Sequence, residues 1–334
     1  MSIPSDRPRW THQGQCDGSA SLRRFTLGIL LLLVSVTLGC TGGAGDNPAG
    51  KVEAIWGKQG VKEGDLQKPR AAAIDPEGNL YLVDMTARIQ VYDAEGKYLR
   101  GWKTPVSTNG RPSGLSFDGQ GRLLVADTHY YRVLKYATDG TLLEEETLGG
   151  TQGEAAGEFG FVTDAVEDSQ GNLYIGEYGT NDRIQKFSPE GEFLMQWGGH
   201  GESLGQFRRP QNLALESGTP EGDRIWVVDA CNHRVQAFDT EGKLLVSWGK
   251  EGSGPGELYY PYDLAFDEDG NLYICEYGNH RVQKFTQEGK SLGIWGTNGR
   301  EPGQLHNPWA LARDKQGRLF VVDSNNHRVQ RIRF

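Results

Sequence analysis

The sequence predicts an all-β fold, a six-bladed β-propeller, and three observations lead to it. A segment of the type Gly-Asn-Leu-Tyr-Leu-Val-Asp recurs six times, and each copy precedes a second segment that opens on Arg. These Arg residues are roughly 45 to 50 positions apart, which is the length of a four-stranded blade rather than of a helical repeat. The 334 residues include 47 Gly, which suits many short strands joined by tight turns.

Six acidic residues end the first type of segment, and six Arg residues open the second. Because a reaction centre needs one acid and one base rather than six equal copies, we interpret both sets as a ring of structural ion pairs. The acids are Asp84, Asp127, Glu177, Asp229, Glu276 and Asp323. The Arg residues are Arg88, Arg132, Arg183, Arg234, Arg281 and Arg328.

The fifth repeat shows all four strands of one blade. Strands are predicted at residues 262–266, 271–275, 281–285 and 291–295. Hairpin turns between them place Gly270 and Gly289 where a positive φ is needed. Four antiparallel strands of this length make a propeller blade.

The two ends of the repeat region predict how the ring closes. The sixth repeat reaches Phe334 after its third strand, whereas residues 53–57 (EAIWG) have the pattern of a fourth strand. We therefore expect residues 52–57 to supply the outer strand of blade six, which removes a free sheet edge. Residues 52–334 are then one propeller domain.

The second half of each repeat carries a family resemblance. The runs Asn279-His280-Arg281-Val282-Gln283 and Asn326-His327-Arg328-Val329-Gln330, together with the preceding WG, GNLY and LAxD elements, resemble the NHL repeat. The resemblance implies a propeller but not one function, since the family includes RNA binders, protein-interaction platforms and, in a related branch, lyases. His233 shares its position with His280 and His327, and blade rotation keeps the three too far apart for one metal ion.

The N-terminal residues predict export and a lipid anchor. Arg23-Arg24 precedes an apolar run at residues 25–38, which is too short to span a bilayer and fits a signal peptide. Residues 37–40 resemble a lipobox, so we expect residues 1–40 to form the signal peptide and Cys40 to be lipidated. Residues 41–51 are a predicted tether. The predicted location is the cell envelope, facing the periplasm or the exterior.

Charge and cysteine content exclude some classes of function. The net charge is −9, and the first 39 residues hold four Arg against two Asp, so the remainder is more acidic still. Such a surface repels phosphate backbones and argues against nucleic acid as a partner. The four cysteines form no CxxC motif. Pairing of Cys231 with Cys275 is left open by the sequence, and two separate residues are the favoured interpretation.

The two faces of the propeller are predicted to differ. One face holds short acidic turns such as residues 75–78 and 239–242, and the other holds longer loops rich in Arg, Tyr and Trp, which are enriched at binding hot spots. The residues that open each first strand should line the channel mouth on this long-loop face. Among them we expect a ligand-binding rim formed by Arg70, Gln211, Tyr262 and Trp309.

Three residues at matching positions in blades three, four and five suggest a metal site as an alternative. Asp164, Asn212 and Asp263 are similar to part of the oxygen-ligand site of calcium-dependent lactonase propellers, and oxygen ligands suit Ca²⁺. The Glu that such a site takes from blade one is absent, since Ala71 stands there. The His set of the amidating-lyase type is also missing. A water-filled channel explains the same polar residues.

Together these patterns favour a binding module over an enzyme. We expect a monomeric scaffold that recognises a protein segment or a glycan on the long-loop face, without a cofactor and without catalytic residues. The alternative is a hydrolase or lyase that uses a divalent ion at the channel mouth. No HExxH motif or phosphate-binding loop is present in the sequence.

Overall fold

A computed structural model describes residues 50–108, 111–179 and 181–334. The predicted signal peptide, the lipidation of Cys40 and nearly all of the predicted tether lie outside these residues and stay predictions. Within the described ranges, none of the helical segments has both the length and the apolar character needed to cross a membrane.

Six four-stranded antiparallel sheets form the blades of a β-propeller, which confirms the predicted fold class. Blade one has strands Pro69–Ile74, Leu80–Asp84, Arg88–Tyr92 and Tyr98–Lys103, and blade two has Gly114–Phe117, Leu123–Asp127, Arg132–Tyr136 and Leu148–Gly149. Blade three has Phe161–Glu167, Leu173–Tyr178, Arg183–Phe187 and Phe193–Gly198, and blade four has Pro210–Glu216, Arg224–Asp229, Arg234–Asp239 and Leu244–Trp248. Blade five has Pro261–Phe266, Leu272–Glu276, Arg281–Phe285 and Ser291–Trp295, and blade six has Ala310–Arg313, Leu319–Asp323, Arg328–Arg333 and Lys51–Trp56.

Blade six is closed by the N-terminal strand, as the sequence predicts. Lys51–Trp56 pairs antiparallel with Arg328–Arg333, so residues from the two ends of the propeller share one sheet. Trp56 packs edge-to-face on Phe320 at 5.9 Å and also faces Gly96 in the turn of blade one. The third strand of blade six is therefore covered by an outer strand, as the third strands of the other five blades are.

The hydrophobic core is a ring of six clusters, one between each pair of neighbouring blades. Trp226 of blade four, for example, packs with Leu264 and Phe285 of blade five, and all three are buried. The long apolar strands of each blade thus bury both faces, which stabilises the blade only in its place between two others. Cys275 is a buried free thiol, so it does not pair with Cys231.

All six predicted ion pairs form at the end of the second strands. In blade four the Nε of Arg234 donates to Asp229 Oδ2 at 2.8 Å, and its Nη atoms donate to the carbonyls of Glu202, Ser203 and Gln206. The acid is fully buried, and its Arg fixes the loop that leads in from the preceding blade. These pairs are therefore structural, as their repetition indicates.

The acidic turns on the short-loop face are held by their own first Asp. Asp93 accepts hydrogen bonds from the backbone N–H of Glu95 and Lys97, and Asp239 accepts the equivalent pair from Glu241 and Lys243. These carboxylates thus stabilise their own turns through hydrogen bonds to the backbone. The Glu residues at the tips of the turns form the exposed acidic surface.

The loops that join one blade to the next share one conformation in five of six places. Each of the five forms a parallel bridge to a buried apolar residue, and the bridges are Gln59–Leu66, Gln152–Phe159, His200–Phe207, Glu251–Leu258 and Asn298–Leu305. The described part of the loop at residues 104–113, between blades one and two, has no such bridge. We call it the variant loop. Among the described residues, Arg132 donates through Nε to Asp127 and to no loop carbonyl, and its buried Nη2 has no hydrogen-bond partner.

Candidate functional site

The channel mouth on the long-loop face is a cleft built by the first strands of several blades. Its enclosed part is small, about 10 Å³, which is room for about one water molecule, and the rest is open to solvent. The predicted binding residues all reach it, so the structure brings them together. The polar and aromatic side chains that line it are Arg70, Ser113, Gln211, Asn212, Tyr262, Asp263 and Trp309.

Arg70 is held at the mouth without an acidic partner. Its guanidinium carbon lies 4.6 Å above the ring of Trp309, which is a cation–π contact. Its Nε is buried and has no hydrogen-bond partner among the described residues. Burial and the nearby positive charge of Arg111 lower the pKa of Arg70 to about 10. The protein thus keeps a poorly compensated cation at this place.

A second arginine, Arg209, contacts Tyr178 and Tyr262. The guanidinium carbon of Arg209 is 4.9 Å from the ring of Tyr178 and 5.3 Å from that of Tyr262, and its Nε donates to Gln211. Tyr262 also stacks on Tyr277 at 4.5 Å. Cations and rings therefore alternate across the mouth.

Two of the predicted rim residues are more buried than a ligand contact requires. Tyr262 is 7% exposed and Gln211 is 3% exposed, because a ring and an arginine cover the former and Arg209 holds the latter. Both still line the cleft, so their expected role as contact residues stays a prediction. Arg70 and Trp309 are less buried than these two.

The variant loop adds two residues that the sequence analysis did not place in the site. Arg111 is exposed on this loop, and its charge acts on both Arg70 and His129. His129 is half-buried, its Nδ1 has no partner among the described residues, and burial together with Arg70 and Arg111 lowers its pKa. The signal for this region was the departure of residues 104–113 from the WG-containing loop pattern of the other repeats.

The three predicted metal ligands bind each other and the neighbouring blades. Asp164 Oδ2 accepts hydrogen bonds from Asn212 Nδ2 at 2.8 Å and from the backbone N–H of Leu213 at 3.2 Å. Asp263 accepts from the backbone N–H of Leu264 and from that of Leu311 in blade six, both at 2.7 Å. Each Asp thus joins its own blade to the next.

These contacts do not fit a divalent cation. Of the trio, only Asp164 Oδ1 and Asn212 Oδ1 have no partner, whereas Ca²⁺ takes six to eight oxygen ligands. Burial raises the pKa of Asp164 to about 7 and raises that of Asp263, which disfavours the charged form that a metal needs. Across the described ranges no group of three or more His, Cys, Asp or Glu is placed to hold a metal. The calcium site stays a prediction that this geometry does not support.

The three NHL-type histidines join blades as well. The Nδ1 of His327 accepts the backbone N–H of Lys68 at 3.0 Å across the closure of the ring. His233 accepts that of Tyr260, and His280 accepts that of Asn307. Each histidine must be neutral to accept at Nδ1, and burial lowers the pKa of all three.

We expect these histidines to make the propeller sensitive to mild acid. Because their pKa values are lower in the folded than in the unfolded protein, the stability they contribute is present above about pH 6.5 and is lost as the pH falls below it. A variant with Asn at positions 233, 280 and 327 tolerates the left-handed backbone found there. Its stability should change less between pH 7 and pH 5 than that of the wild type, as measured by urea unfolding. Asp164 and Asp263 titrate equally in both proteins, so identical pH profiles would contradict this role.

Comparison with known sequences finds the same repeat. A family model described as the NHL repeat matches residues 258–285 and 305–332. The chain is 37% identical over 145 residues to peptidylglycine alpha-amidating monooxygenase of Rattus norvegicus, a match that covers 40% of this chain and 14% of that protein. It is 28% identical over 197 residues to NHL repeat-containing protein 3 of Homo sapiens, covering 56% of this chain and 54% of that protein. The chain thus spans about half, or far less, of the relatives it matches.

Comparison with solved structures supports the architecture. An auxiliary nutrient binding protein from Bacteroides thetaiotaomicron superposes with a TM-score of 0.61 at 14% identity, over 80% of this chain and 69% of that one. At this identity the likeness concerns the fold alone. With the matched repeats and the six sheets described above, the chain is a six-bladed β-propeller that contains NHL repeats at residues 258–285 and 305–332.

Proposed function

We propose that this propeller is a binding module whose ligand docks at the channel mouth on the long-loop face. The observation that carries the proposal is the break in repetition at this place. Elsewhere the repeated acids, arginines and histidines bind each other or the neighbouring blade, which gives them a structural role. At the mouth, Arg70 lines a cleft next to the variant loop, and the charge of Arg111 acts on both Arg70 and His129.

The ligand we propose is a protein segment or a glycan in the cell envelope. The concave, rigid mouth draws residues from several blades, which is the arrangement that ligand sites favour. An NHL propeller is compatible with a binding or scaffold role, and one protein of the same fold is an auxiliary nutrient binding protein. The proposed envelope location depends on the sequence of residues 1–40.

The same geometry argues against the alternative of a metal-dependent hydrolase or lyase. Asp164 and Asp263 bind backbone amides, so neither has a free pair of oxygens for a metal or a substrate proton. His129 has no acidic partner at Nδ1 among the described residues to orient it as a base. Binding needs neither of these features.

A bulky label at the mouth tests the location of the site independently of its chemistry. Arg111 is exposed at the edge of the cleft, so Arg111→Cys can carry a large maleimide group without disturbing the core. We expect the labelled protein to retain far less native ligand from an envelope extract than the same variant without the label. Comparing one variant in two states removes the effect of the lost charge.

The matched control places the same label on the opposite face. Glu190 is exposed at the tip of a short turn, and its side chain forms no hydrogen bond there. Asp93 and Asp239 are unsuitable as controls because they cap their turns. Labelled Glu190→Cys should retain the ligand. Loss of the ligand from this control, with retention by labelled Arg111→Cys, would show that the site is on the short-loop face.

A further inference from the structure

Resting on the proposed function, we propose that the group recognised at the mouth is an oxyanion, a carboxylate or a phosphate, bound by Arg70. The ligand then inserts a negatively charged end into the cleft, while the remainder of the ligand lies on the long-loop face. Three sets of contacts lead to this chemistry.

The first is the distribution of charge. The chain is acidic overall, and most of its buried or half-buried arginines have a carboxylate within 4 Å, as Arg122 has Asp118 and Arg318 has Asp314. Arg70 lines the cleft and has no such carboxylate among the described residues. In a protein with an excess of acids, a half-buried cation without an acidic partner, with the positive charge of Arg111 acting on it, is suited to bind an anion from outside.

The second is the fixed orientation of the Arg70 guanidinium. Trp309 covers one face at 4.6 Å and so fixes its plane. Trp309 in turn contacts Tyr262 at 4.9 Å and Tyr277 at 5.5 Å, which are themselves buried or half-buried. A guanidinium held in this way presents its N–H edge in one direction, and that edge forms paired hydrogen bonds with the two oxygens of an oxyanion.

The third is that the ring of Tyr262, which lines the cleft, is already covered. Tyr262 has Tyr277 against it at 4.5 Å, in a stacked arrangement, and the Arg209 guanidinium at 5.3 Å. A sugar ring that stacks on aromatic faces would find these faces occupied. The cleft therefore recognises charge better than it recognises an apolar or ring-shaped group.

The probes are sodium acetate, inorganic phosphate and neutral acetamide, each titrated into the protein at constant ionic strength with chloride as the balancing anion. We expect acetate or phosphate to raise the melting temperature and acetamide to leave it unchanged.

Arg70→Gln should weaken anion binding about tenfold or more, as expected for a lost charge-assisted pair of hydrogen bonds. The same substitution should leave the melting temperature of the ligand-free protein unchanged or higher, since it removes a buried, uncompensated charge. A purely structural arginine would lower it.

Arg300→Gln is the matched control, because Arg300 is exposed on the same face and its side chain forms no ion pair among the described residues. It should bind the anions as the wild type does. Acetate binding alone assigns a carboxylate, and phosphate binding alone assigns a phosphorylated ligand. Equal binding of acetamide, or anion binding by Arg70→Gln equal to the wild type, would overturn the proposal. If labelled Arg111→Cys loses the native ligand but Arg70→Gln keeps it, the site is correct and the charge chemistry is wrong.

Discussion

Removing the closing strand should have the largest effect on stability. Deletion of residues 52–57 takes away the fourth strand of blade six and with it Trp56, which packs on Phe320 and faces Gly96. Loss of a large aromatic side chain alone costs about 3–5 kcal/mol, and the strand also supplies a full ladder of backbone hydrogen bonds. We therefore expect the melting temperature to fall by roughly 10 °C or more, measured by circular dichroism.

The matched control is deletion of residues 41–49, which precede the described propeller. This change should leave the melting temperature as it is, because no contact of the closing strand is removed. The protein that lacks residues 52–57 should also aggregate, since the third strand of its sixth blade becomes an unpaired edge. Equal melting temperatures for the two deletions would contradict closure by this strand.

Arg234→Met should be the most damaging single substitution. The change leaves Asp229 buried without its cationic partner and frees the carbonyls of Glu202, Ser203 and Gln206. Breaking a buried pair by removing one partner costs about 3–5 kcal/mol. Urea unfolding at pH 7.5 should show a loss of this size.

Arg132→Met is the control that the irregular blade offers. Arg132 makes the same bond to Asp127 but donates to no loop carbonyl among the described residues, so the loss of stability on its substitution should be clearly smaller. Burial already raises the pKa of Asp229 to about 6, and removal of Arg234 raises this pKa further. The folded variant then takes up a proton more readily than the unfolded chain, so its defect should shrink as the pH falls from 7.5 toward 5. Equal losses for the two variants would show that the loop carbonyls contribute nothing.

The sequence predicts the fold well because the same local pattern of strands and turns occurs in each of the six repeats. Strand bounds in blade five differ from the prediction by one residue, as in Pro261–Phe266 against 262–266, and the third and fourth strands agree. The six acid–Arg pairs and the closing strand follow from the same repetition. A single copy of such a pattern would have been ambiguous, and the register between copies resolves it.

The site was harder to predict because it depends on how the blades meet. Nothing in the sequence indicates that Tyr262 is covered by Tyr277 and Arg209, or that Asp263 reaches the backbone of Leu311 in the next blade. Those contacts link residues far apart in the chain. The variant loop can be recognised in the sequence because it lacks the repeated pattern. The burial of each side chain at the mouth cannot be recognised in the sequence.

The position of Gly50 shows on which face of the propeller the described residues begin. Gly50 lies against Trp295 as the turn glycine of every complete blade lies against its neighbouring Trp or Leu, on the short-loop face. The first described residue therefore lies on the side of the propeller opposite the channel mouth. The cleft and the first strand's entry point occupy different faces of the described domain, so a change at residue 50 does not reach the residues that line the cleft.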